Sequence, residues 1–339
     1  MANRDNKKVV YWLLTGCFLI FIMVIVGGIT RLTNSGLSMT DYKLITETIP
    51  PLNEEAWNTE FERYKQFPEY QKLHSHFELE DFKQIYFWEW FHRFIGRFIG
   101  IVFIVPFLYF LFTKQLSRST VKKSIILLVL GAFQGFLGWY MVKSGLIDIP
   151  AVSHYRLAAH LVTAFLTFAY TFWVALDLIY PKREVVDTSF RNLVRWGMVI
   201  LLLQIIWGAF VAGLDAGLIH NTWPLMNEGK IIHETVYIEQ EPLWRNFIEG
   251  KSGVQFVHRY LAWFVVGIIG LIWYRSRKLS LNPLQKRAID FLLVMVFIQF
   301  LLGIFTLILA VPLWLGVAHQ VGAFFLLAAM TFTLHRFTR

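Results

Sequence analysis

HRFIGRFIGIVFIVPFLYFLF, residues 92–112, sets a histidine at the head of an apolar run long enough to cross a bilayer. Seven more such runs, each of roughly 20 residues as ~30 Å of hydrocarbon requires, lie near 9–29, 124–142, 156–179, 192–214, 254–274, 288–310 and 313–335. The chain therefore reads as an all-α integral membrane protein with eight transmembrane helices. Composition agrees: of 339 residues, 56% are hydrophobic and only 16% charged, which excludes a soluble domain of this length. Only the turn at Val311 and Pro312 separates the last two runs, so that boundary is the narrowest.

Charge orients the bundle, because short cytoplasmic loops retain Lys and Arg. Arg4, Lys7 and Lys8 precede the first run. Lys114, Arg118, Lys122 and Lys123 join the second to the third, and Lys182, Arg183, Arg191 and Arg195 the fourth to the fifth. Arg275, Arg277, Lys278, Lys286 and Arg287 lie between the sixth and seventh, with Arg336 and Arg339 at the end. Both termini are expected in the cytoplasm, and the net charge of +9 reads as topology, with no nucleic-acid partner. The first outer loop is acidic, with Asp41, Glu47, Glu54, Glu55, Glu60, Glu62, Glu69, Glu78, Glu80 and Asp81. The run from Val9 to Ile29 outlasts a signal-peptide core and has no small-x-small cleavage site. Cys17 is the only cysteine, so no intramolecular disulfide and no C-x-x-C-H haem attachment exists.

Four histidines, His92, His160, His258 and His319, fall near the starts of the second, fourth, sixth and eighth runs. They should share one depth near the outer leaflet, ~8–10 Å into their helices. A lone membrane histidine is usually an interhelical hydrogen bonder. Four at matching places point to two bis-histidine pockets, each holding a haem iron by coordination.

The halves also align as a weak repeat. Gly27 and Gly36 match Gly208 and Gly217 at an offset of 181, and Gln134 and Gly138 match Gln299 and Gly303 at 165. FHR at 91–93 matches VHR at 257–259, and His160 pairs with His319. Two parallel-repeat four-helix bundles are expected: residues 1–180, with a long outer loop at 30–91, and residues 181–339.

Charged neighbours suit such pockets. Arg93 and Arg259 follow ligand histidines and Arg97 lies one turn beyond, where guanidinium groups either hold propionates or simply snorkel to the interface. Glu89 stands three residues before His92, whereas the matching place holds Gln255. A carboxylate beside one haem and an amide beside the other favours proton-coupled chemistry in the first pocket and electron carriage in the second; the plainer reading has Glu89 anchoring a helix end. His74, His76, His220, His233 and His335 read as solvated or interfacial. His74-Ser75-His76 with Glu78 makes only a weak metal motif, and His154 faces away from His160. Trp57, Phe61 and Tyr64 form an apolar stripe opposite Glu55, Glu60, Glu62 and Arg63, predicting an interfacial helix that either lids a pocket or seals helix ends.

GGITRLTNSGLSM at 27–39, PPLNEEAWNTEFERYKQFPEY at 50–70, FKQIYFWEWFHRFIGRFIG at 82–100, HYRLAAHL at 154–161, FVHRYLAW at 256–263 and VAHQVGAF at 317–324 resemble the haem A synthase family. The loop is similar to the long-loop branch shared by proteobacteria and mitochondria, without the cysteine pair of many bacterial members, so a thiol mechanism does not apply. The resemblance implies oxidation of haem O to haem A, the methyl at ring position 8 becoming a formyl group. Successive hydroxylations with oxygen drawn from water would give a geminal diol that loses water. It further implies a resident haem b on His258 and His319, haem O at His92 and His160, and a requirement for Glu89.

With only eight residues before the first run, a bacterial inner membrane is expected. The partners to expect, besides haem O and membrane lipid, are the farnesyl transferase that makes haem O and a quinone or other electron acceptor. On residues alone, a quinol-linked di-haem b carrier without porphyrin chemistry leads; a haem transporter is the third reading.

Overall fold

The computed structural model describes residues 4–39, 49–145, 151–181 and 187–338. Of the residues in the charge reading, Asp41, Glu47, Lys182, Arg183, Arg339 and the Arg4 side chain lie outside the described residues. Twelve α-helices follow in order: α1 (Arg4–Leu32), α2 (Glu54–Tyr64), α3 (Pro68–Lys72), α4 (Leu79–Phe112), α5 (Arg118–Val142), α6 (His154–Ile179), α7 (Thr188–Gly213), α8 (Thr235–Ile238), α9 (Asn246–Glu249), α10 (Lys251–Ser276), α11 (Pro283–Ile308) and α12 (Leu313–Phe337). Eight of them, α1, α4, α5, α6, α7, α10, α11 and α12, are long and apolar enough to span a membrane. Among the described residues there is no β-strand, only an isolated bridge between Met226 and Lys230.

Local chemistry sets the ends of these helices. Asn53 caps α2 by accepting from the Ala56 amide (2.8 Å), and Asn282 and Gln285 form a reciprocal box at the start of α11, with Pro283 at its first turn. The chain leaves α1 through Asn34 (φ 51°) and α7 through Asp215 (φ 53°), residues whose short polar side chains tolerate the left-handed region. Ala310 and Val311, both at positive φ, separate α11 from α12 where the narrow boundary was expected.

Helix α4 differs from its expected span. It starts at Leu79, so His92 sits well inside a 34-residue helix instead of near its beginning, and the first loop closes at Glu78. The added turns project beyond the apolar run and carry a cluster in which Phe82 stacks on Phe61 (5.2 Å) and Tyr64 (5.0 Å), while Trp57 meets Tyr86 edge-on (5.1 Å). Each buried aromatic here contributes on the order of 2 kcal/mol. The polar residues Glu80, Asp81 and Lys83, which end a hydropathy run, do not end a helix supported by such packing.

The spanning helices share a core in which Phe324 of α12 packs on Phe165 and Phe168 of α6, with Leu201, Ile269, Leu292 and Met330 around it. A second cluster places Trp12 and Leu13 of α1 against Phe107 and Phe110 of α4. Helix α1 packs on α4, α6 and α12; helix α7 packs on α10, α12 and α6; α5 pairs with α6, and α11 with α12. Large apolar side chains such as Ile101, Val105 and Phe112 of α4 and Leu301 and Phe305 of α11 point outward. Lipid suits such faces and water does not.

Candidate functional site

Beside each of the four histidines, the facing helix carries a glycine. On α7, a Cβ at Gly208 would fall 3.0 Å from His258 Cε1, and on α11 one at Gly303 would fall 2.9 Å from His319 Cε1. In the other half, a Cβ at Gly27 of α1 would meet His92 Nε2 at 3.3 Å, and one at Gly138 of α5 would meet His160 Cε1 at 3.4 Å. Absence of a side chain lets each imidazole lie against backbone, more tightly in the C-terminal half than in the N-terminal half.

The rings of His258 and His319 face each other with centroids 6.3 Å apart and planes perpendicular. Two imidazoles on opposite sides of one metal, with bonds of about 2.0–2.1 Å, would have centroids roughly 6 Å apart, so this separation fits one shared ion. Gln204 Nε2 lies 3.2 Å from His258 Nδ1, and Gln299 Nε2 lies 3.1 Å from His319 Nδ1. The N-terminal pair is held differently. His160 lies within electrostatic range of His92, but its Nδ1 is buried without a hydrogen-bond partner among the described residues, as is the amide nitrogen of Gln134.

Glu89 lies on α4 above His92, with 3% of its surface exposed. Its Oε2 accepts from Ser38 Oγ and from the Met39 amide, both at 2.8 Å, and its Oε1 accepts from Arg93 Nη2 at 2.7 Å. Arg93 also donates to the Met39 carbonyl at 2.9 Å, so carboxylate and guanidinium together tie the turn after α1 to α4. Helix spacing explains the pair, since residues four apart share a face. Arg97, a turn further on, is half-buried.

The second pocket keeps this geometry and loses the carboxylate. Gln255 donates to the carbonyls of Ala216 (2.9 Å) and Ile219, while Arg259 Nη2 donates to the carbonyls of His220 (2.8 Å) and Thr222 (2.9 Å). Arg259 Nε and Nη1 are buried with no partner among the described residues. A buried guanidinium with two unmet donors beside a histidine pair fits an anionic group such as a haem propionate. The residues present thus fit a haem in this half: two facing imidazoles, glycine on each side and an unneutralised arginine.

Two histidines depart from the solvated reading. His220, 7% exposed, bonds Ser252 Oγ (3.0 Å) and lies tilted against His233 (ring centroids 4.7 Å). Burial, then His233 and Arg259, hold its imidazole below the usual range against the opposing pull of Glu239. His335 is wholly buried and meets Asp177 of α6 at 3.0 Å. His154 bonds the Ile248 carbonyl (2.9 Å), away from the pair.

His74 accepts or donates at Tyr64 OH (2.8 Å), and Tyr64 also donates to Glu69 (3.0 Å). Burial pushes the Glu69 carboxyl up to about 8, with Glu89 nearby adding to it and Tyr64 opposing it. Helix α2 forms as its apolar stripe predicts and packs on α4. The only trio of metal-capable side chains among the described residues is Glu228, His233 and Glu234, whose carboxylates already bracket Lys230 at 2.7 and 2.6 Å.

Gln204 and Gln299 had a signal in the sequence: an amide inside an apolar run is costly unless partnered. Gln299 entered the reading only as a repeat marker, and Gln204 did not enter it.

Comparison with known proteins gives a consistent result. A family model described as cytochrome oxidase assembly protein (COX15-CtaA) matches residues 10–331. The chain is 62% identical to the Heme A synthase of Flavobacterium johnsoniae, over 99% of this chain and 100% of that one. It is 61% identical to the Heme A synthase of Flavobacterium psychrophilum (99% and 100%) and 44% identical to that of Nitrosospira multiformis (98% and 94%).

Proposed function

The chain belongs to the COX15-CtaA family of cytochrome oxidase assembly proteins, and from that premise we propose the chemistry its residues perform. It is a haem A synthase, a membrane oxidoreductase that converts haem O to haem A. The observation that carries the finer reading is the paired geometry: two histidine pairs, each backed by glycines, with Glu89 beside one and Gln255 beside the other.

In this reading the C-terminal bundle, residues 181–339, is the cofactor half, where His258 and His319 would hold a haem b and Arg259 would suit a propionate. Haem b supplies one-electron transfer when bound. The N-terminal bundle, residues 1–180, presents His92 and His160 to haem O. Converting a methyl to a formyl group with oxygen from water releases four protons and four electrons per porphyrin, so the substrate pocket needs a proton acceptor and an electron exit. Glu89 is the carboxylate placed to take a proton or to stabilise positive charge at the reacting carbon. Arg93, Ser38 and the Met39 amide hold it in place. Arg97 stands where it can meet a propionate of the substrate. The two bundles form a parallel repeat, with termini in the cytoplasm and pockets toward the outer leaflet of a bacterial inner membrane. A quinone or other acceptor takes the electrons, and the farnesyl transferase that makes haem O supplies the substrate.

Co-expression with a source of haem O, followed by pigment extraction and mass spectrometry, tests the reading. Formyl porphyrin should appear together with one stable haem b per chain. Two equivalent haem b groups and no formyl product would instead support the electron-carrier reading.

A further inference from the structure

The two amides that touch the C-terminal imidazoles each carry an unmet oxygen. Gln204 Oε1 and Gln299 Oε1 are buried with no partner among the described residues. Gln299 Nε2, by contrast, points both at His319 Nδ1 (3.1 Å) and at that histidine's backbone carbonyl (3.0 Å), whereas Gln204 Nε2 lies 3.2 Å from His258 Nδ1 and 3.5 Å from His258 Nε2, over the ring and not in line with either nitrogen. An amide N–H directed at Nδ1 requires the ring proton on Nε2. A ring that binds metal through Nε2 has the opposite need: its proton is on Nδ1, and an acceptor must meet it there. Turning the amide end for end meets that need, because amide oxygen and nitrogen have nearly the same size. A turned amide also faces the histidine carbonyl oxygen, so it must swing away from that oxygen as it meets Nδ1; the carbonyl still accepts from the amide four residues on.

Gly322 gives this amide its seat. A Cβ there would come 2.1 Å from Gln299 Oε1, so any side chain at 322 would drive the amide off His319. The N-terminal half has no such arrangement. At the offset of 181, Met23 stands where Gln204 stands, and a thioether is at best a weak acceptor. Gln134, the counterpart of Gln299, has its amide nitrogen unpaired while His160 Nδ1 is unpaired as well.

We propose that Gln299 is a positioning residue that fixes the His319 ring by accepting Nδ1–H. Held in this way, the C-terminal pair retains its haem, while the N-terminal pair, with no engaged amide, exchanges one porphyrin for another at each turnover. This rests on the reading that haem b occupies the C-terminal half.

The test uses full-length protein purified with its haem. Gln299→Leu should release haem b to apomyoglobin about 10–100-fold faster. It should also raise the haem b midpoint potential, because an imidazole without an acceptor at Nδ1 donates less to ferric iron. Gln134→Leu should change neither. Should leucine prevent folding, Gln299→Glu keeps size and an acceptor and should lower the potential. Release rates and potentials equal to the parent's in Gln299→Leu would overturn the proposal, as would an equal shift in Gln134→Leu. His258→Ala separates the premise: loss of haem b upholds it, and full retention removes the site reading whatever the amides do.

Discussion

At the N-terminal pocket a buried carboxylate, Glu89, joins Ser38, Met39 and Arg93; at the C-terminal pocket the matching amide, Gln255, bonds only backbone and leaves Arg259 without a carboxylate. The same contrast runs through the imidazoles: amides and closer glycines lie against both rings in the C-terminal half, while in the N-terminal half His160 Nδ1 and the Gln134 amide nitrogen have no partner among the described residues. Under the proposed division, a few polar positions distinguish the two pockets. A pocket that keeps its cofactor needs fixed ligands and a cation for the propionate. A pocket that turns over its porphyrin needs a base and ligands that let go.

Replacing Glu89 by Gln copies the second pocket's chemistry into the first and should have the largest effect. Haem A formation should fall by about 10²–10⁴-fold, the usual value of a positioned acid or base, while haem b remains bound. Porphyrin analysis of membranes would show it, and undiminished haem A would remove Glu89 from the mechanism.

The glycine contrast predicts the next effect in size. Gly303→Ala sets a Cβ 2.9 Å from His319 and should cost about 1–3 kcal/mol through overpacking, with loss of much of the haem b. Gly138→Ala, at 3.4 Å from His160, should keep the haem b spectrum of the parent. Equal losses would show that the two halves grip their rings alike.

The outer cluster over the first pocket should respond to pH. Burial raises the folded Glu69 carboxyl to about 8 against 4.5 for the unfolded one, so the folded state binds the extra proton between these values. Stability from this group is fully present below 4.5 and is lost as pH rises through 8, by on the order of a few kcal/mol. Hydrogen exchange of α2 measured against pH should show weakening protection, and Glu69→Gln should flatten the curve. A profile unchanged by that substitution would contradict the assignment.

The smallest effect lies at the seam between halves, where Arg31 pairs with Asp215 at 2.8 Å. Half-exposed pairs of this kind contribute under about 1 kcal/mol. Asp215→Asn, which keeps a residue tolerant of φ 53°, should therefore shift thermal unfolding by only a few degrees. A larger loss would make that contact a main tie between the bundles.

Hydropathy made the eight spans legible, because lipid demands long apolar helices whatever their neighbours. The four histidines were legible because ionisable rings stand out in such runs. The upper turns of α4 were not, since Glu80, Asp81 and Lys83 read as the end of a span until Phe61 and Tyr64 are seen packing on Phe82. His220 and His335 look like solvent-facing residues in a linear reading; only tertiary packing brings Ser252 to one and Asp177 to the other. The Glu89 and Gln255 difference was visible from alignment of the halves, but its partners at 38 and 39 come from a turn some fifty residues away.

Pigment content of His92→Ala and His258→Ala, each expressed with a supply of haem O, tests the division of labour most directly. His92→Ala should retain one haem b per chain and make no haem A, whereas His258→Ala should lose haem b. Haem b that survives in His258→Ala and vanishes in His92→Ala would reverse the two halves and contradict the account.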